Sequence, residues 1–168
     1  QNHKEQHEEL KIKEDIFNIL VKDAEVEPPE SVIERELKFM IEGMKFQIAQ
    51  SGMKPEDSGF ESEKAMKEWR EKAIFNTTGY MMLESIAASE NIHLTQQDME
   101  AEYELLAKQT KQKVEEVQKR IMSNPDSLGQ TTIKLLGQKT MNFIYSNCEI
   151  QYYKEGEEPE KEKEVKTL

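Results

Sequence analysis

From Ala73 to Ala88 the chain reads AIFNTTGYMMLESIAA, apolar on nearly every side at helical spacing and carrying one charge, Glu84. A helix of that kind has to be covered on most sides, because a solvent-facing helix keeps a polar face. The residues before it continue the same helix in amphipathic form: Ala65, Met66, Trp69 and Ala73 recur at three and four beside Lys and Glu. Glu61 to Ser89 is therefore predicted to be one long central helix, with the flanking segments packed around it as helices. Gly79 inside it costs about 1 kcal/mol relative to Ala. Close approach by a neighbouring helix explains why it is there.

The flanks carry the matching signals. A first helix is predicted over Glu8 to Ala24, with Leu10, Phe17, Leu20 and Ala24 on one face and Ile12, Ile16 and Ile19 on an adjoining one. Pro28 and Pro29 stop it, since proline cannot continue a helix and pushes the preceding residue extended. A second helix follows over Glu30 to Ser51 with two apolar faces. Ile33, Leu37, Met40 (or Ile41), Met44 and Ile48 form one stripe; Val32, Phe39 and Phe46 repeat at seven on another. One stripe packs inward and the other needs a partner. Ser51-Gly52 ends this helix, and Met53 to Gly59 is a loop.

After the central helix, Thr95 is placed to cap the amide of Asp98, Asp98 lies in the favourable field of the helix N-terminus, and Leu94 and Met99 are placed for a hydrophobic staple. The fourth helix is predicted to run from there to Met122, with Met99, Tyr103, Leu106, Thr110, Val114, Val117 and Ile121 on one face. Ser123-Asn124-Pro125-Asp126 breaks it, and Asp126 caps a fifth helix over Ser127 to Ser146. Cys148, Ile150 and Tyr152 alternate with Glu149, Gln151 and Tyr153, the pattern of an extended segment. The expected fold is all-α: five helices in elongated antiparallel hairpins, with a short extended C-terminal segment. Residues 1–154 form a single helical domain, and residues 155–168, Glu- and Lys-rich with a proline, form a disordered charged tail.

Composition narrows the function. In 168 residues, 36% hydrophobic and 34% charged side chains suit long, partly solvated helices better than a spherical core. The net charge of −11 disfavours nucleic acid, which such a surface repels. Cys148 is the only cysteine, so an intrachain disulfide and a thiolate metal cluster are excluded, as suits a reducing compartment. A small buried hydrophobe is its expected role. No stretch is apolar for long enough to span a membrane. The chain opens on Gln1 rather than Met, which fits a segment of a longer protein.

Chemistry is sparse. His3 and His7 are four apart, but His-Lys-Glu-Gln-His is not the His-Glu-x-x-His of zinc hydrolases. His93 lies in a turn with no second ligand nearby in sequence. Asn76-Thr77-Thr78 matches a glycosylation triplet but falls in the central helix. No catalytic residues, metal site or cofactor are expected. The remaining feature is nine methionines, several clustered with aromatics: Phe39, Met40, Met44 and Phe46 on the second helix, and Tyr80, Met81 and Met82 on the third. Met is unbranched and polarisable, so such a surface re-packs against varied apolar partners. The plainer reading is that these residues fill a core.

Val26-Glu27-Pro28-Pro29-Glu30-Ser31-Val32-Ile33-Glu34-Arg35-Glu36-Leu37 resembles the V-x-x-P-x-x-L-I-x-x-E start of a helix in the C-terminal domain of bacterial trigger factor. Ala73 to Tyr103 is similar to that domain's apolar helix, its x-I-x-L/V-T turn and the acidic helix after it. The Asn124-Pro125 turn and closing helix follow in the same order, so the resemblance spans Leu10 to Tyr152. It implies an elongated two-armed helical body, related to the helical chaperone part of SurA-like proteins. The implied activity is ATP-independent, cytoplasmic binding of unfolded or nascent polypeptide. The Met and aromatic clusters above, Phe39, Met40, Met44, Phe46, Tyr80, Met81 and Met82, are the expected contacts for it. The family's Gly-Phe-Arg ribosome-docking loop and its FK506-binding-type isomerase domain have no counterpart in these residues. Ribosome contact and isomerase activity would then belong to other parts of a full-length protein. The alternative is an assembly module whose apolar stripes bind a second copy or a fixed partner.

Overall fold

The computed structural model describes residues 2–52, 54 and 59–150, with side chains from residue 6 onward. Six α-helices are found among them: α1 (Asn2–Lys22), α2 (Glu30–Gln50), α3 (Glu63–Ser89), α4 (Gln96–Thr110), α5 (Val114–Met122) and α6 (Pro125–Asn147). The arrangement is the all-α set of hairpins expected. Tyr152 and the tail over 155–168 lie outside the described residues, as does most of the loop after Gly52.

α3 is the spine, with α1, α2 and α6 packed on it. Ala73, Thr77, Thr78, Gly79, Leu83 and Ala87 are its buried residues. The two threonines turn their hydroxyls back to the carbonyls of Ala73 and Ile74 at 2.7 and 2.9 Å, so their burial leaves no donor unmet. Gly79 receives the Phe17 ring of α1. A Cβ there would lie 2.5 Å from Phe17 Cε2 and 2.7 Å from Cε1, closer than atoms pack. The same ring meets Phe75 and Tyr80 edge-on, with centroids 5.5 and 6.2 Å apart. Lys13, one turn earlier, reaches Asn142 Oδ1 at 2.6 Å and lies 5.2 Å from the centre of the Tyr145 ring, tying α1 to α6. Coverage of the apolar run is incomplete, and Ile74 and Phe75 remain exposed.

α2 returns along α3, held by Arg70–Glu30 at 2.7 Å and Lys45–Glu61 at 2.8 Å. Its two apolar faces part company. Ile33 is buried and Leu37, Met40, Met44 and Ile48 are half-buried, whereas Phe39 and Phe46 are 53% and 65% exposed. Ser51 and Gly52 close the helix, with Gly52 at φ +79°, where glycine bears no steric penalty.

Three expectations are corrected. The fourth helix is two helices, so there are six rather than five. Lys111 takes the left-handed conformation (φ 55°, ψ 34°) and the chain folds back. That geometry costs a non-glycine residue about 1–2 kcal/mol, and it is offset by the core it creates. Tyr103 and Ala107 of α4 pack on Val117 and Ile121 of α5, with Met99, Leu106 and Leu128 against them. Thr110 and Val114 therefore sit at the hairpin end and are exposed, instead of continuing a stripe.

The cap of α6 is Asn124, not Asp126: its Oδ1 accepts from the amides of Asp126 and Ser127 at 3.0 and 3.2 Å. Pro125 has no N–H to satisfy and fits the first helical position. Cys148 is exposed rather than buried, because it lies just past the end of α6, where the backbone turns extended. The Thr95 cap forms as the sequence indicates, with Thr95 Oγ1 accepting from the Asp98 amide; Asp98 Oδ2 in turn accepts from the Thr95 amide at 2.7 Å, which completes a capping box.

Candidate functional site

α2 and α6 both rest on α3, and α4–α5 closes one end of the space between them. The result is an open trough with two cavities of about 350 and 240 Å³, and a third of about 500 Å³ lies on the other side of Tyr80, between α1 and α6. All three share one wall, Tyr80. Its ring is fixed by the edge contact with Phe17. Burial, then the charge of Glu36, push the phenol's pKa up, so the hydroxyl stays protonated at neutral pH. No group among the described residues hydrogen-bonds that hydroxyl.

The walls alternate apolar and polar side chains. Val32, Arg35, Glu36 and Phe39 come from α2, Thr77 and Met81 from α3, and Gln130, Ile133 and Lys134 from α6. Two carboxylates are almost wholly buried there, Glu36 at 7% and Glu102 at 5% exposure. Each has a partner: Asn76 Nδ2 donates to Glu36 Oε1 at 3.1 Å, and Lys134 Nζ meets Glu102 Oε1 at 2.7 Å. The Lys134–Glu102 pair, with Lys139–Asp98 at 2.7 Å, ties α4 to α6 at that end.

Of the seven residues singled out in the sequence, Phe39, Tyr80 and Met81 line the trough. Phe46 lies on the same face of α2 as Phe39 but two turns further along, exposed. Met40 turns toward α3, with its sulfur 3.7 Å from Asn76 Nδ2. Met44 and Met82 are half-buried and line none of these cavities. Sequence reasoning missed Glu36, Gln130, Ile133 and Lys134. The α6 residues gave no local signal, because their role depends on lying opposite α2.

The arrangement offers apolar wall with dispersed hydrogen-bonding groups and no reactive constellation. Among the described residues, no three His, Cys, Asp or Glu side chains gather as a metal would require. His7 is exposed, and Asn76 of the glycosylation triplet is occupied with Glu36. No helix among the described residues is long and apolar enough to cross a membrane.

The family model described as bacterial trigger factor protein C-terminus matches residues 1–146. Among relatives, trigger factor of Halothermothrix orenii is 30% identical over 118 residues, covering 68% of this chain and 28% of that protein. Trigger factor of Geobacter metallireducens is 27% identical over 150 residues, covering 87% of this chain and 34% of that protein. Trigger factor of Geobacter sp. strain M21 is 23% identical over 139 residues, covering 83% and 32%. The chain thus spans about a third of the length of these relatives. A solved structure from work on the domains of trigger factor of Thermotoga maritima aligns with a TM-score of 0.59 at 18% identity, covering 84% of this chain and 83% of that one. At that identity the likeness is one of fold.

Proposed function

The chain belongs to the bacterial trigger factor C-terminal family, and from that premise we propose that it is a chaperone domain holding unfolded or nascent polypeptide without nucleotide. The observation that carries this reading is the open trough around Tyr80, apolar in its walls yet interspersed with paired polar groups, beside an exposed Phe39 and Phe46. Each large apolar client side chain fully buried contributes about 1.5–3 kcal/mol. Affinity then comes from several weak, rapidly exchanging contacts rather than one deep pocket. Phe39, Met40, Met44, Phe46, Tyr80, Met81 and Met82 are the proposed contact set, Phe39, Tyr80 and Met81 within the trough and the others around it. No catalytic step is assigned to these residues. Any ribosome contact or isomerase activity belongs to regions outside them, and the cytoplasm is the proposed location.

The test is light scattering from a chemically denatured, aggregation-prone protein diluted into buffer with and without the chain. Suppression of scattering in the absence of ATP is the expected result. No suppression at several-fold excess would overturn the reading. The exposure of Phe46 and Phe39 also favours a second reading, an assembly module in which that stripe meets another copy or a fixed partner. Sedimentation over a range of concentrations separates the two, since a stable dimer would cover the stripe.

A further inference from the structure

A polypeptide entering an apolar trough loses water from its backbone amides and carbonyls, and an unmet backbone group there costs as much as a lost hydrogen bond. A site that holds many different chains therefore needs a donor and an acceptor for groups every chain carries. Tyr80 lines all three cavities with a hydroxyl that no described residue engages. Glu36 lines two of the same cavities. Its carboxylate receives one described hydrogen bond, from Asn76 to Oε1, which leaves acceptor capacity on a group with about four lone-pair directions.

Resting on the polypeptide-holding reading above, we propose that Tyr80 and Glu36 together read the main chain of an extended client, the phenol donating to a carbonyl and the carboxylate accepting from an amide. Both groups are pre-positioned. The Tyr80 ring is braced by Phe17 and Glu36 by Asn76, so little ordering is needed on binding. Recognition through the backbone is indifferent to client sequence, and it discriminates against a residue without an amide proton at the contact.

The test measures binding of a short, uncharged, fluorescently labelled peptide of Leu, Phe, Ser and Gly to the chain and to its Tyr80→Phe variant. Diphenylhexatriene, which has no hydrogen-bonding group, serves as a second probe. Tyr80→Phe is expected to weaken the peptide about fivefold, the worth of one hydrogen bond, and to leave the dye unchanged. Equal peptide affinity for the two proteins, or a parallel loss of dye, overturns the inference while peptide holding stands. Failure of the unaltered chain to bind the peptide removes both. Methylating the peptide's amides one at a time tests Glu36 without altering the protein. One position should weaken binding by a similar factor, and indifference at every position overturns that half of the pair.

Discussion

Replacing Gly79 by alanine sets two opposed effects of known size against each other. In an exposed helix interior the change stabilises by about 1 kcal/mol. Here the new methyl would fall on the Phe17 ring, 2.5 Å from Cε2 and 2.7 Å from Cε1, and the ring must leave its seat between Phe75 and Tyr80. Overpacking of that kind costs about 1–3 kcal/mol. The net expectation is a destabilisation of up to about 2 kcal/mol in the otherwise unaltered chain. With Phe17→Ala the obstacle is gone, and Gly79→Ala should stabilise by about 1 kcal/mol relative to Phe17→Ala alone. The coupling between the two sites is then about 1–3 kcal/mol, well above the error of a double-mutant cycle. Urea unfolding of the four proteins, followed by far-ultraviolet circular dichroism, measures it. Stabilisation by Gly79→Ala in both backgrounds would refute the docking of α1 on α3 through Phe17.

Asp98 is held at a pKa of about 2, below its ordinary 3.8, first by the hydrogen bond from Lys139 and then by the amide and hydroxyl of Thr95. A depressed carboxylate contributes stability that is present above the unfolded pKa and lost as pH falls through the folded one. Asp98→Asn should therefore remove pH dependence of the melting temperature between about pH 4 and 2, leaving other steps of acid unfolding in place. Asn124→Ala should cost about 1 kcal/mol by removing the α6 cap, read as a lower urea midpoint. Phe39→Ser with Phe46→Ser should weaken client holding with circular dichroism unchanged, since both rings are more than half exposed. Loss of helicity in that pair would place them in the core instead.

The helices were legible because their signals are local. The apolar run from Ala73 to Ala88, the double proline before α2 and the Thr95–Asp98 cap each act within a few residues. Even Gly79 announced a close approach, although not that Phe17 would be the group making it. The two faces of α2 were equally plain, because helical spacing alone separates Ile33 from Phe39. The turn at Lys111 had no such signal. No glycine or proline marks it, and a left-handed lysine persists only because Tyr103 and Ala107 gain more from Val117 and Ile121 than the turn costs.

The trough was out of reach for the same reason. Tyr80 and Glu36 belong to different helices, and Gln130, Ile133 and Lys134 come from a third, distant in the chain. Periodicity states which side of a helix is apolar, whereas a cavity depends on which helices face one another and how far apart they are held. The sequence by itself determined the helices that carry local start and stop signals, and their surplus of apolar surface. Only the tertiary packing, through ties such as Lys134–Glu102 and the seat of Phe17 on Gly79, decided which part of that surface was buried and which lined an open trough.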